Sequence, residues 1–63
     1  MTPGERHLVT QLVDDFNDDI ERVEQPVTTS DNMVYVTYLD EEGSEVDDDL
    51  RGKTFRVVVE EVR

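Results

Sequence analysis

The chain has 63 residues, with 17 acidic side chains against six basic ones, a formal charge of −11 and no cysteine. That length allows one domain with a small core, and without cysteine neither a disulfide nor a thiolate metal site can staple it. The charge excludes a basic patch for nucleic acid or for a membrane surface, because each phosphate contact needs a cation and the five arginines and single lysine are scattered. No apolar run approaches the ~18 residues that span a bilayer, and the first residues lack a basic segment followed by an apolar one. The expectation is one domain over residues 1–63, soluble and cytoplasmic.

Thr2, Pro3, Gly4 and Glu5 read as a helix start. Thr2 caps, Pro3 sits where its missing N–H costs nothing, and Glu5 stands where a capping box needs it. The apolar residues that follow, Leu8, Val9, Leu12, Val13, Phe16, Ile20 and Val23, fall within one arc of roughly 140° at helical spacing. This predicts an amphipathic helix running to Gln25, where Pro26 ends it. A helix of ~22 residues would be ~33 Å long, the reach of a nine-residue strand. Its second half is crowded with Asp14, Asp15, Asp18, Asp19, Glu21 and Glu24, the wrong sign for a helix C-terminus. Like charges at Asp14/Asp18 and Asp15/Asp19 add to the repulsion, so salt is expected to stabilise the fold.

Residues 27–32 form a connection, with a short extended piece over 27–29. Residues 33–39, MVYVTYL, read as a strand with Met33, Tyr35, Thr37 and Leu39 on one face and Val34, Val36 and Tyr38 on the other. Glu41, Glu42, Gly43 and Ser44 form a turn, residues 45–49 a short charged edge strand, and Leu50, Arg51 and Gly52 a second turn. Residues 53–63, KTFRVVVEEVR, are the strongest strand, with Phe55, Val57 and Val59 on one face and Arg56, Val58, Glu60 and Val62 on the other. Because it is apolar on both faces, this strand is expected at the centre of its sheet or with cover on both faces. The fold class that follows is α+β, one N-terminal amphipathic helix packed on a small three-stranded antiparallel β-meander in the order α-β-β-β.

One helix covers one face of such a sheet. The other face keeps apolar residues in view, and the candidate contact surface is Met33, Tyr35, Leu39, Val58 and Val62. Curvature and long side chains covering that patch are the plain alternative. A second candidate is the acidic surface of Asp14, Asp15, Asp18, Glu41, Glu42, Asp47, Asp48 and Asp49.

The motifs that suggest chemistry fail on their surroundings. Gly52, Lys53 and Thr54 echo a phosphate loop, but Asp47 stands where its first glycine belongs and a strand follows. Residues 47–52 echo a calcium-binding loop, but Arg51 occupies a ligand position and Val58 replaces the closing glutamate. His7 is the only imidazole and has one carboxylate near it in sequence, too few ligands for zinc and no base for Ser30 or Ser44. The expectation is a non-enzymatic protein with no catalytic residue, cofactor or metal. The composition, rich in Asp and Glu with arginine as the preferred cation, resembles proteins of halophilic archaea, whose solvent screens charge over ~3 Å at 1 M salt. With the open apolar sheet face, the expectation is a halophile-type protein-interaction module whose partner is a protein or a second copy of itself, forming a homodimer through that face. The alternative is a DNA mimic that meets a basic nucleic-acid-binding partner through its carboxylates.

Overall fold

The computed structural model describes all of residues 1–63. Helix α1, Pro3–Asp18, is followed by strands β1, Thr28–Ser30, β2, Met33–Thr37, and β3, Thr54–Val58. The strands form one antiparallel sheet in the order β1-β2-β3, and α1 packs on one face of it. This is the expected α+β arrangement of helix then three-stranded meander.

Local chemistry sets the helix start. The Thr2 hydroxyl accepts the Glu5 N–H at 3.1 Å while Glu5 Oε1 accepts the Thr2 N–H at 2.7 Å, a closed capping box with Pro3 just inside it. The helix ends at Asp18, well short of Gln25. Its last turn holds no basic residue, so carboxylates face the negative end of the dipole, and one side chain from outside, Gln25, donates to the terminus instead. The Gln25 amide donates to the Phe16 carbonyl at 3.2 Å, and the Asn17 amide oxygen accepts the Val27 N–H at 2.9 Å. Residues 22–24 are drawn onto the sheet: the Glu24 N–H donates to the Thr37 carbonyl, the Leu39 N–H to the Arg22 carbonyl, and Val23 bridges Tyr38. Val23 is thereby buried, while Ile20, counted above in the helical stripe, is 68% exposed.

The sheet departs from expectation in which segments make it. Residues 45–49 form no strand; the Asp47 carbonyl accepts the Leu50 and Arg51 N–H groups in a turn, and Val46 is buried as an anchor. A run of carboxylates has no neighbouring strand to pair with there, whereas residues 28–30 fold back onto β2 through the two-residue turn at Asp31 and Asn32. That hairpin makes β2 the central strand and β3 an edge. It also ends β3 early: the Val59 N–H donates to the Asn32 carbonyl at 2.9 Å, and beyond this rung the hairpin has turned away, so residues 60–63 have no partner strand.

In the register Met33↔Val58, Val34↔Val57, Tyr35↔Arg56, Val36↔Phe55 and Thr37↔Thr54, opposite residues share a face. Val34 and Val36 turn to the helix and join Val9, Val23, Val27 and Val59 in the core, with Leu12, Val13, Phe16, Tyr38 and Val57 packed around them. Phe55 meets Tyr38 edge-on at 6.0 Å. The molecule measures 42 × 19 × 16 Å, so most residues lie near solvent and only seven are buried.

Candidate functional site

The face of the sheet away from α1 carries Thr28 and Ser30 from β1, Met33, Tyr35 and Thr37 from β2, and Thr54, Arg56 and Val58 from β3. Among these strand residues the only charge is Arg56 and there is no carboxylate; Glu24, opposite Thr37 beside the Val23–Tyr38 bridge, borders the face. The strand alternation that places Val34 and Val36 inside places these residues outside. The Tyr35 hydroxyl lies 3.7 Å from Met33 Sδ, and the Thr37 and Thr54 hydroxyls are 2.8 Å apart across the strands. Val58 is 52% exposed, and Met33 and Tyr35 are half-buried with no layer over them.

Three of the five residues expected on the contact surface, Met33, Tyr35 and Val58, therefore come together. Leu39 leaves the strand and lines a groove of about 720 Å³ with Ile20, Val23 and the carboxylate-bearing Glu21, Glu24 and Glu45. Val62 lies beyond the end of β3, almost fully exposed. Alternation alone had put both on the open face, and what removes them is where the neighbouring strands stop.

The acidic residues divide in two. Asp14, Asp15 and Asp18 line the exposed side of the second half of α1, and Glu41, Glu42, Asp47, Asp48 and Asp49 lie in the two exposed loops before β3. Asp19 and Arg22 at the helix end share a small cleft with Glu45 and Asp47, so the helix end and the loop meet there. Ion pairs are few: Arg22 to Asp19 at 3.1 Å, Arg51 to Asp48 at 3.2 Å and Arg63 to Glu61 at 3.9 Å. Asp19 raises the Arg22 pKa further through its hydrogen bond and its charge. Asp14, Asp15, Asp18, Glu41, Glu42, Asp47 and Asp49 have no cationic partner.

No group of three or more histidine, aspartate or glutamate side chains is placed to hold a metal ion. His7 stands near the helix start beside Arg6 and Thr10, exposed to solvent, while Ser30 lies on β1 and Ser44 in the loop after β2. The polar contacts that organise the chain were not among the expected sites. Glu5, already closing the capping box, accepts the Glu61 N–H on its second oxygen at 2.9 Å and ties the C-terminal tail to the helix start. Those backbone donors, Glu61 first and Thr2 second, hold the Glu5 carboxyl below its ordinary pKa of 4.5. Asn32 donates to the Val59 carbonyl at 2.9 Å and locks the hairpin turn to the end of β3. The capping box made half of the Glu5 arrangement legible in sequence; no local signal announces the other half. No protein-family model, curated protein or solved structure matches the chain.

Proposed function

We propose that this chain is a non-enzymatic protein-interaction module that self-associates through the open face of its sheet. The observation that carries the reading is the distribution of charge. In a molecule of net charge −11, the strand residues of the face centred on Tyr35, with Met33 and Val58 beside it, carry no carboxylate. A second copy, itself of charge −11, must approach against the field of the remaining surface, and strands that carry no carboxylate are where that approach costs least. That copy presents the same face, so the contact joins like surfaces about a two-fold axis. The rest of the surface, with its carboxylates mostly unpaired, suits a solvent of high ionic strength, where screening shortens the repulsion between copies to a few Å.

The test is Tyr35→Glu, which puts one carboxylate at the centre of the face and leaves the core valines untouched. Sedimentation equilibrium in about 1 M KCl, a salt chosen for strong screening, should give a larger assembly for the parent chain than for the variant, which loses the open-face contact. Circular dichroism should show both folded. A parent chain that stays monomeric at every concentration contradicts the reading.

A further inference from the structure

We propose that the free edge of β3 is a second contact site, at which a second copy of the chain adds its own β3 antiparallel to make one continuous six-stranded sheet. The inference rests on the self-association reading above and specifies a different surface from the open face. It starts from the hydrogen-bond phase of the sheet. The Tyr38 N–H donates to the Lys53 carbonyl and the Val59 N–H to the Asn32 carbonyl, so by antiparallel alternation Val57 and Phe55 direct their backbone groups at β2. Thr54, Arg56 and Val58 then direct theirs away from the sheet. No strand lies on that side, and no turn, cap or side-chain hydrogen bond uses their N–H or carbonyl groups. The edge is five residues long, extended, and free of proline, which are the features that invite strand addition.

Charge selects the occupant. Lys53 and Arg56 are cations with no carboxylate within ion-pair distance, in a chain that holds 17 carboxylates. Along the strand the sign reverses, from Arg51, Lys53 and Arg56 at the start to Glu60 and Glu61 just past its end. Antiparallel self-pairing turns that reversal into complementarity. With the two-fold axis at Val57, Arg56 stands opposite Val58 of the second copy and diagonal to its Glu60, and Lys53 stands opposite its Glu61. The register with the axis at Arg56 opposes two arginines and is disfavoured. The Val57 register keeps like faces together, so Phe55, 39% exposed in the single chain, lies beside Val59 of its neighbour, and the two open faces merge into one.

Hydrogen exchange of the full chain in about 1 M KCl, read amide by amide over a range of concentrations, distinguishes this edge from the face. Edge pairing predicts that the Arg56 and Val58 amides slow at least about tenfold as the dimer forms, while Phe55 and Val57, bonded to β2 throughout, change little. Val58→Pro removes one outward N–H without touching a β2 hydrogen bond and should weaken dimerisation at least about tenfold with the fold retained by circular dichroism. A chain that dimerises with the Arg56 and Val58 amides still exchanging freely overturns the edge proposal and leaves open-face association standing. A chain that remains monomeric overturns both.

Discussion

Valine occupies every buried position in this chain, from Val9 on the helix to Val59 past the last strand. Each buries less surface than leucine or phenylalanine would, so the core depends on how completely these few are enclosed. Val34 is fully enclosed at the centre of the sheet. Val34→Ala should cost about 2 kcal/mol in thermal or urea unfolding, a large share of the roughly 3 to 9 kcal/mol expected for a domain of this size. A loss below about 0.5 kcal/mol would mean that the site closes over the missing methyls. Gly52 and Gly43 both adopt positive φ, +72° and +83°, but a Cβ at Gly52 would press on the Asp40 side chain at 3.2 Å while one at Gly43 meets open space. Gly43→Ala should therefore cost about 1 kcal/mol and Gly52→Ala distinctly more. Equal losses at the two positions would show that Asp40 simply moves aside.

Glu5 gives a pH-dependent term with a definite sign. Its carboxyl is held below 4.5 in the folded chain, so its contribution is present above that value and is lost as pH falls through the lower folded value. The rest of the molecule responds in the opposite direction, because protonation relieves the repulsion among carboxylates. Comparison with Glu5→Gln separates the two. The parent should be the more stable protein at pH 7, and the difference between them should shrink toward zero as pH drops below 4.5. A difference independent of pH would assign the loss to the capping geometry alone.

At the scale of elements, the helix start, the two longer strands and the α-β-β-β order were legible in sequence because their signals are local: a capping box, a proline and period-two apolar residues. The helix end was not. Ile20 and Val23 continue the apolar stripe, but Arg22 and Glu24 find backbone partners on Leu39 and Thr37, which no helical periodicity can reveal. The misassigned strand has the same cause. Residues 28–30 are polar and exposed and pair only because the turn at Asp31 and Asn32 brings them beside β2, while residues 45–49 look no less extended and have no neighbour. Alternation places three of the five expected residues, Met33, Tyr35 and Val58, on the open face; Leu39 and Val62 fall where alternation outlasts the strands. The helix that did form carries a fault the sequence displays openly, since Asp14, Asp15 and Asp18 crowd its negative end. Asp18→Lys should stabilise the protein by about 0.5 to 1 kcal/mol at low salt, with the gain falling in 1 M KCl as screening takes over. A gain that persists unchanged at high salt would locate it in packing instead of charge.

The whole molecule combines a thin core with a strong field. At 42 × 19 × 16 Å it encloses few residues, and its −11 charge opposes both folding and self-association. Salt acts on both terms in the same direction, and a gain of about 1 kcal/mol on screening would raise Tm by roughly 4 to 8 °C for a domain this small. The central claim is that the carboxylates are borne by the solvent while contact is made at the open sheet face, whose strands carry none. The most direct measurement is sedimentation equilibrium together with thermal melting, for the parent chain and Tyr35→Glu, from about 0.1 to 3 M KCl, which spans screening lengths from roughly 10 Å to a few Å. The account predicts that Tm rises with salt for both proteins and that with salt the parent reaches a larger assembly than Tyr35→Glu. A flat melting temperature together with a monomer at every salt concentration would contradict it.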